Sequence, residues 1–384
     1  MKIQVVLGTL FGDEGKGSTV QWLCNRAIEQ GDHPLVVRFS GGPQAGHRIV
    51  CGKLEHICSS FGSGVLLGVP TYLTKEVMID PISMKLEYEV LKSMGVTPQI
   101  FIHPQCRVIT PYDVLCNLND QKVLGDGSCG KGIFHAFSRY SNDSRQQRLC
   151  ELKDYPDEYL ALVRNYWRQE PIWEYENMFV EAIQWLVNFA QIKNLPNSEQ
   201  DYDTLIFEGS QGLLLDMEAG FMPHCTPSKV GLNGVKGTFD ITGSEVFLVM
   251  RPYLTRHGNG YTPRYSTTAQ EYFSFEEPSN TDDGYQGDFK RGFFEDRLLM
   301  RVCDRHRLDN DQLKYKLKVN MVVTHLDCML QKDIIPHLTV DDKQAFDPLD
   351  VFLQKIRLAT GLDINHLYGS YSQSLTENQF RMVS

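Results

Sequence analysis

The stretch VLGTLFGDEGKGSTV, residues 6–20, places a glycine-rich turn directly after a short apolar run. Residues 3–8 predict a buried strand, and the pattern from about residue 19 to 30 predicts a helix. Glycine-rich turns between a strand and a helix commonly hold phosphate, because their backbone amides point at the anion. Asp13 and Glu14 therefore pose a question, since two acids lie where another anion would bind.

This turn is not a Walker A loop, because Leu10 occupies the position of that pattern's first glycine. Its amides can still cradle phosphate oxygens, and Lys16 can add positive charge. An acid within such a turn can ligate the Mg²⁺ that accompanies a nucleotide, or it can accept a proton. The alternative interpretation is a surface turn whose acids are solvated.

The bulk composition narrows the class of protein. The 384 residues carry a net charge of −10, which argues against a broad nucleic-acid-binding surface. No apolar run approaches the roughly 18 residues of a membrane helix, and the amino terminus is too short for a signal peptide. The ten cysteines form no CxxC pair, which favours reduced thiols. We therefore expect a cytoplasmic protein with neither a nucleic-acid partner nor a membrane partner.

Strand and helix patterns alternate along the chain, which predicts an α/β fold with a large central, mostly parallel β-sheet flanked by helices. Such sheets bind ligands at the carboxyl ends of their strands. We expect a single domain over residues 1–384, with long functional loops at about 40–52, 125–145, 255–268 and 277–292. Further strands are predicted at 34–39, 99–103, 203–207, 246–251 and 319–324, and further helices at 81–94 and twice within 157–195.

Three later clusters also follow predicted strands. In residues 38–50, His47 is flanked by glycines, and its imidazole can donate to a developing phosphate charge, although a lone histidine is often structural. In residues 206–216, Gln211 can contact a base or sugar edge, unless this is an ordinary turn. In residues 323–327, Asp327 can accept two hydrogen bonds from guanine that adenine cannot offer, although Leu-Asp after a strand is common.

Taken in order, these clusters resemble the motifs of the adenylosuccinate synthetase family. The match comprises residues 12–17, Ala45-Gly46-His47, residues 207–216 and the pair Thr324 and Asp327. It extends from residue 3 to about residue 370 and implies a P-loop-like, GTP-dependent ligase fold. Several departures from the family pattern make the chain a divergent member.

The resemblance implies a reaction. In this family GTP phosphorylates the 6-oxygen of IMP, and the amine of L-aspartate then displaces that phosphate to give adenylosuccinate. Asp13 would take the N1 proton and bind Mg²⁺ together with the carbonyl of Gly46, which explains an acid in a phosphate loop. His47 would act as an acid toward the phosphoryl group, and Lys16 and Gln211 complete the implied catalytic set. The implied nucleotide contacts are Gly12, Glu14, Gly15, Gly17, Ser18, Gln44, Ser128, Cys129, Arg139, Arg145, Thr226, His257, Thr324, Asp327 and Gly369.

The departures lie at substrate-binding positions. Ser128 and Cys129 replace two threonines of the family's IMP-phosphate loop, and Gln44 replaces an asparagine. In the amino-acid loop only Lys290 and Arg291 remain of several arginines, although carboxylate substrates favour arginine forks. The resemblance assigns the amino-acid carboxylates to these two cations, with Arg256 and Arg264 as further candidates.

Alternatives to IMP and aspartate therefore stay open. A related phage branch uses dGMP as acceptor, and a small residue there replaces the catalytic aspartate. Asp13 is retained here, which favours a hypoxanthine acceptor. The other hypotheses are a different amine donor, ATP as phosphoryl donor, and a non-catalytic nucleotide-binding paralogue. The family typically forms homodimers, and Arg139 and Arg145 are candidates for the arginine that reaches the partner's nucleotide.

Overall fold

The computed structural model describes residues 1–120, 128–143, 148–195, 201–261, 267–275, 287–329, 334–339, 341, 343–371 and 379–383. The predicted strands and helices of the central fold are confirmed to within a few residues, with one exception given below. The strands are β1 (Lys2–Gly8), β2 (Pro34–Arg38), β3 (His47–Cys51), β4 (Leu54–Cys58), β5 (Thr71–Leu73), β6 (Met78–Ile79), β7 (Ile100–Ile102), β8 (Arg107–Val108), β9 (Gln191–Ile192), β10 (Thr204–Gly212), β11 (Glu245–Met250), β12 (Tyr253–His257), β13 (Phe289–Glu295), β14 (Lys318–Val323), β15 (Ile335–Leu338), β16 (Gln344–Asp347), β17 (Ile364–Ser370) and β18 (Phe380–Met382).

A ten-stranded sheet in the order β18-β17-β14-β11-β1-β10-β2-β5-β7-β9 forms the centre of the molecule. Its strands pair in parallel, apart from the antiparallel pair of β17 with β18. Val5 and Leu7 of β1 enter one apolar cluster, whereas Val6 enters another with Trp22. Because successive side chains point to opposite faces, both faces of the sheet are covered, as a parallel sheet requires. The predicted fold class is confirmed.

Helices cover the two faces of this sheet. No helix in the part of the chain that the structure describes is long and apolar enough to cross a membrane. The α-helices are α1 (Lys16–Glu29), α2 (Pro81–Ser93), α3 (Pro111–Asn119), α4 (Ile133–Asn142), α5 (Leu149–Leu152), α6 (Pro156–Trp167), α7 (Trp173–Phe189), α8 (Thr267–Tyr272), α9 (Asp296–Arg305), α10 (Leu308–Tyr315) and α11 (Leu349–Ala359).

The exception is β10, which the sequence predicts only to residue 207 but which continues to Gly212. The register with β1 shifts at its end, where Gly8 pairs with Gly212 after Val6 has paired with Glu208. The extra residues bulge, and they re-aim the side chains that follow. The polar run 208–211 therefore lies at the sheet's carboxyl edge as a strand, not as a turn.

The four predicted loop segments contain regular structure where they are described. Strand β3 lies within 40–52, helix α4 within 125–145, the start of α8 within 255–268 and the start of β13 within 277–292. A four-stranded sheet, β12-β13-β15-β16, begins three residues after β11 ends. It therefore starts beside the carboxyl edge where β1, β2, β10, β11 and β14 end.

Candidate active site

The glycine-rich turn between β1 and α1 adopts left-handed backbone conformations. Gly12, Asp13 and Gly15 have φ angles of 96°, 54° and 86°. Glycine adopts such angles without strain, whereas an aspartate there is uncommon. Gly15 precedes α1 without a side-chain cap, so no side chain covers the first helical amides. The turn therefore presents backbone N–H groups and the Asp13 carboxylate on the same loop, as a phosphate cradle requires.

Three side chains from distant parts of the chain fix this turn. The Thr324 hydroxyl donates to the carbonyl of Glu14 at 2.7 Å, and the Thr255 hydroxyl donates to the carbonyl of Gly12 at 3.2 Å. The Nε of Arg251 donates to the carbonyl of Asp13. Thr324, predicted as a nucleotide contact, thus has an anchoring role that the sequence did not indicate.

Glu14 points under the turn. Its carboxylate accepts a hydrogen bond from the backbone amide of Leu10 and lies 3.7 Å from the Nζ of Lys16. Burial raises the pKa of Glu14 to about 6, against the opposing effect of Lys16. A side chain at Gly8 would clash with this carboxylate, which explains the glycine there. The contact of Glu14 with a nucleotide stays a prediction and would have to use its backbone.

Asp13 faces away from the core. Its side chain is 31% exposed, and its Oδ2 lies 3.5 Å from the Nε2 of His257. The carbonyl of Gly46 belongs to an exposed residue on the neighbouring loop. Carboxylate and carbonyl oxygens are the ligands that Mg²⁺ prefers, and both groups are accessible. The donor types of these two residues therefore suit a magnesium ion, and the ion itself stays a prediction.

His47 is buried at the start of the β3–β4 hairpin and packs on the first turn of α1, where a side chain at Gly17 would lie 2.9 Å from its Cβ. Its Nδ1 contacts the Oε1 of Glu208, which assigns the proton to Nδ1. Its Nε2 has no hydrogen-bond partner among the described residues. Burial lowers the pKa of His47 against the opposing effect of Glu208, so Nε2 carries a lone pair at neutral pH.

Glu208 is a site residue that the sequence did not indicate. It lies in β10 opposite Arg38 of β2, and it also accepts hydrogen bonds from the amide and hydroxyl of Ser63. Burial alone would raise the pKa of Glu208, but His47, Arg38 and Ser63 outweigh it and hold the pKa at about 2. Glu208 is therefore a buried, ionised group that orients His47.

The hairpin itself is tied to α2. Glu87 accepts hydrogen bonds from the backbone amides of Ser59, Ser60 and Phe61 and lies 3.3 Å from His56. His56, Cys58 and Glu87 are buried together, and their ligand atoms lie within 4.8 Å of one another. Because backbone donors already occupy the carboxylate, we interpret this cluster as a structural clamp on the turn that leads to Ser63.

The glutamines lie near the same loops. A side chain at Gly12 would approach the Oε1 of Gln211 to 3.9 Å, and a side chain at Gly212 would clash with the turn. The Nε2 of Gln44 lies beside Gly41, and its Oε1 is buried without a partner in the described residues. The structure thus places Gln211 at the first turn, and its contact with a nucleotide stays a prediction.

Arg139 corrects one prediction. This side chain is buried, and its guanidinium donates to both carboxylate oxygens of Asp113, to the hydroxyl of Tyr159 and to the carbonyl of Val108. It faces inward because α4 packs on α3, where Asp113 caps the helix. Arg139 is therefore structural and cannot reach a partner's nucleotide. The other candidate, Arg145, lies outside the described residues.

The predicted amino-acid cations diverge. Thr255 pairs with Arg291 and Arg256 pairs with Lys290 across β12 and β13, so Lys290 and Arg291 point to opposite faces. Arg291 donates to the carbonyl of Phe275 at 2.7 Å, and Lys290 donates to the carbonyl of Gly258 at 2.9 Å. The two cations therefore cannot grip one carboxylate together, which corrects the prediction that treated them as a pair. Arg291 shares its face with Thr255, which contacts the first turn.

The remaining predicted contacts lie on loops beyond this core. Ser128 accepts a hydrogen bond from Asn117 at 3.2 Å, and Thr226 accepts one from the amide of Ser228 at 3.2 Å. Asp327 opens a short helical turn after β14 and is half-buried. A side chain at Gly369 would lie 2.7 Å from Leu326, so glycine permits the close approach of that turn. Nucleotide contacts at Gly12, Gly15, Gly17, Ser18, Gln44, Ser128, Cys129, Thr226, His257, Asp327 and Gly369 stay predictions.

These features define an α/β protein with a glycine-rich loop and a buried His–Glu pair at the carboxyl edge of its sheet. Residues 5–274 match the sequence profile of the adenylosuccinate synthetase family. The chain belongs to this family.

The sequence identity between this chain and its relatives or similar solved structures is low. Adenylosuccinate synthetase of Nitrosomonas europaea is 31% identical over 284 residues, covering 67% of this chain and 64% of the relative. The protein of Polynucleobacter asymbioticus is 30% identical over 305 residues, covering 72% of this chain and 65% of the relative. Less than two thirds of each relative is thus matched.

Two solved structures share the fold. Fully ligated adenylosuccinate synthetase from Plasmodium falciparum superposes with a TM-score of 0.77 at 18% identity, covering 100% of both chains. Cyanophage S-2L succinoaminodeoxyadenylate synthetase, bound to dGMP and to dATP as an energy donor, has a TM-score of 0.68 at 15% identity and covers 99% of this chain and 95% of its own. At these identities the likeness concerns the fold alone.

Proposed function

We propose that this chain is a ligase that uses GTP to join L-aspartate to C6 of IMP, giving adenylosuccinate, GDP and phosphate. The observation that carries the proposal is His47, whose Nδ1 is held by Glu208 while its Nε2 has no partner among the described residues. A histidine fixed in this way, beside a phosphate-type loop that carries an exposed acid, is suited to phosphoryl transfer. Family membership supports these substrates.

In the first step the γ-phosphoryl group of GTP passes to the 6-oxygen of IMP. Asp13 takes the N1 proton, and the electrons of the N1–H bond form the N1–C6 double bond as the oxygen bonds to phosphorus. GDP leaves with the electrons of the broken P–O bond. Lys16 and the amides at the start of α1 hold phosphate oxygens. An oxyanion at Nε2 of His47 favours the protonated ring, which then donates a hydrogen bond to it.

A magnesium ion held by Asp13 and the carbonyl of Gly46 would neutralise phosphate charge in this step. Arg251 keeps the backbone of Asp13 in place, and Glu208 keeps the imidazole of His47 in one tautomer. The buried Glu14 lies 3.7 Å from the Nζ of Lys16 and so keeps this cation beside the turn.

In the second step the amine of L-aspartate attacks C6 and forms the C–N bond. The C6–O bond breaks, phosphate leaves with its electron pair, and the amine loses a proton. Arg291 is the favoured contact for a substrate carboxylate, because it lies on the strand face that contacts the first turn. Lys290 on the opposite face supports the alternative of a different amine donor.

The acceptor and the phosphoryl donor each have an alternative. The cyanophage structure was solved with dGMP and with dATP as an energy donor, which supports the same chemistry on dGMP and ATP as a donor. Asp327 favours GTP, because its carboxylate can accept two hydrogen bonds from guanine. Asp13, Lys16, His47 and Gln211 together argue against a non-catalytic paralogue. A homodimer in the cytoplasm is proposed from family membership.

The test is phosphate release with GTP, Mg²⁺ and L-aspartate, run in parallel with IMP and with dGMP. We expect release with IMP and a product heavier by an aspartyl unit in the mass spectrum. Release only with dGMP would establish the alternative acceptor, and replacing GTP by ATP identifies the donor. The control is Asp13→Asn, which should abolish turnover while GTP still shifts the melting temperature. If GTP shifts the melting temperature of the wild type but no turnover is detected, the hypothesis of a non-catalytic nucleotide-binding paralogue is favoured.

A further inference from the structure

The contact between His257 and Asp13 concerns which purine the site accepts. His257 is the last residue of β12, and its Nε2 lies 3.5 Å from the Oδ2 of Asp13. Their side chains are 18% and 31% exposed, so the contact is partly open to solvent. The inference rests on the proposed function, in which Asp13 faces the N1 position of the purine.

Both partners of this contact are held in place. Thr255, two residues before His257 and on the same face of β12, donates to the carbonyl of Gly12 at 3.2 Å. The His257 ring packs against Phe289 of the neighbouring strand, with 4.8 Å between the ring centroids. Arg251 fixes the backbone of Asp13. The imidazole is therefore a fixed neighbour of the carboxylate, since three separate contacts determine their relative position.

The chemistry of the purine edge gives this contact a consequence. Hypoxanthine has one N–H donor at positions 1 and 2, whereas guanine has two adjacent donors, N1–H and the 2-amino group. A carboxylate with both oxygens available suits the two donors of guanine. When an imidazole ring lies against one oxygen, it occupies the space beside that oxygen, and the second donor of guanine would lose water without reaching that acceptor. Such an unpaired donor selects against the competing ligand.

We propose that His257 is a specificity-determining residue of the acceptor site. By engaging Oδ2 of Asp13, it leaves Oδ1 for a purine monophosphate with one N–H donor on this edge. It thereby selects IMP over 2-amino purine monophosphates such as GMP and dGMP. Retention of Asp13 is then only part of the selectivity, and the residue at position 257 supplies the rest.

The test compares nucleotides that differ only in the 2-amino group. Isothermal calorimetry measures Kd for IMP and GMP, and for dIMP and dGMP, with Mg²⁺ and GDP present so that no turnover occurs. The variants are His257→Val, which suits a strand but has no donor, and His257→Gln, whose amide can replace the Nε2 donor. His33→Val is the matched control, because it removes an exposed histidine that lies 3.1 Å from Asp203.

We expect the wild type to prefer IMP and His257→Val to reduce the GMP/IMP ratio of Kd values about tenfold, the effect of one charge-assisted hydrogen bond. His257→Gln should stay within about threefold of the wild type, and His33→Val should not change the ratio. In an Asp13→Asn background, His257→Val should have little further effect, because coupled residues are not additive.

Other outcomes separate the inference from the proposed function. An unchanged ratio in a folded His257→Val protein would overturn the inference alone, whereas a wild type that prefers GMP would overturn it together with the proposed IMP acceptor. If thermal unfolding shows that His257→Val does not fold, the GMP/IMP ratio of Kd values in His257→Gln and in Asp13→Asn decides. A changed ratio in Asp13→Asn together with a wild-type ratio in His257→Gln supports the inference. A wild-type ratio in Asp13→Asn together with a changed ratio in His257→Gln overturns it. A wild type that binds none of the four nucleotides would overturn the proposed acceptor class, and this inference with it.

Discussion

Among the buried histidines that lie beside carboxylates, His47 and His337 have pKa values that shift in opposite directions. His47 contacts Glu208 at the carboxyl edge of the large sheet. His337 lies in β15 of the four-stranded sheet, 2.6 Å from Asp347 and 3.4 Å from Asp296. Burial lowers the pKa of His47, whereas the two carboxylates outweigh burial and raise the pKa of His337. One ring is therefore neutral and the other favours its charged form.

The difference comes from the charges that face each ring against the effect of burial. Glu208 also accepts from Ser63 and faces Arg38, so His47 receives only part of its negative charge, while Lys16 further disfavours a charged ring. His337 faces two acids, and the Nζ of Lys355 lies 2.6 Å from one of them, Asp347. A neutral ring with an open Nε2 can change its protonation during a reaction, whereas a ring between two acids acts as a structural cation.

Glu208→Gln should have the largest effect, because it removes the charge that the whole site shares. Arg38 would remain buried without that neighbour, which should lower the free energy of unfolding by about 3–5 kcal/mol. Phosphate release should fall as well, since His47 loses its orienting partner. Urea unfolding and the phosphate-release assay measure both, with the exposed Glu218→Gln as control. A free energy of unfolding within about 1 kcal/mol of the wild-type value would contradict the conclusion that Arg38 and His47 both depend on the charge of Glu208.

His47→Gln tests the functional member of the comparison. It removes the group that donates to the transferred phosphoryl, so phosphate release per folded molecule should fall about 10²- to 10⁴-fold. The free energy of unfolding should change less than in Glu208→Gln, because no charge is left buried without its neighbour. Activity that falls only in proportion to the unfolded fraction would show that His47 is merely structural.

His337→Gln tests the structural member. The loss of contacts with Asp296 and Asp347 should lower the free energy of unfolding by about 1–3 kcal/mol. Activity per folded molecule should be unchanged, because His337 lies on β15 away from the first turn. His33→Gln, an exposed histidine beside Asp203, should change stability by no more than about 0.5 kcal/mol. A specific activity that falls with His337→Gln would place this sheet in the reaction.

The pH dependence sharpens the contrast through its sign. The pKa of His337 is raised in the folded state. Its contribution to the free energy of unfolding is therefore complete below the unfolded pKa of about 6.5, and it is lost as pH rises through the folded pKa. The pKa of His47 is lowered in the folded state. Its contribution to the free energy of unfolding is therefore present above the unfolded pKa of about 6.5, and it is lost as pH falls through the folded pKa. From pH 8 to 5.5 the stability difference between wild type and His337→Gln should grow, and that for His47→Gln should shrink.

Two other groups do not obscure that measurement. Glu14, with a pKa of about 6, titrates in the same window but is present in every variant and cancels in the difference. Asp347 has a lowered pKa and loses its contribution only as pH falls below about 4. The measurement is urea unfolding at the two pH values. If the stability difference between wild type and variant changes in the same direction for His337→Gln and His47→Gln, the opposite pKa shifts of the two histidines are refuted.

Lys355→Met should have the smallest effect. Its side chain is 41% exposed, and such ion pairs contribute up to about 1 kcal/mol, less at high salt. The measurement is urea unfolding at low and high ionic strength. A loss above about 2 kcal/mol would mean that Lys355, and not His337, is the main counter-charge of Asp347.

The sequence predicted the fold because its signals are local. Apolar runs mark the central strands, and glycines mark positions such as Gly12 and Gly15 whose φ angles are positive. Arg139 was misassigned because its burial depends on Asp113, 26 residues away, which no local pattern reveals. Glu208 was missed for a similar reason, since its partners come from β2, β3 and the turn at Ser63.

Lys290 and Arg291 were misjudged for a different reason. Their segment was predicted as a loop, in which adjacent side chains can converge on one ligand. It is the start of β13, and alternation along a strand separates them. A strand assignment for residues 289–295 would have predicted this outcome from the sequence alone.

The anchoring of the first turn has a consequence for the order of events during synthesis. Residues 8–17 emerge from the ribosome early, but the hydroxyl that fixes Glu14 belongs to Thr324, 310 residues later. At typical translation rates this delay is roughly 15 to 60 s. The nascent chain therefore carries its glycine loop unanchored for most of its synthesis, and the finished loop is a late product of folding even though it is encoded first.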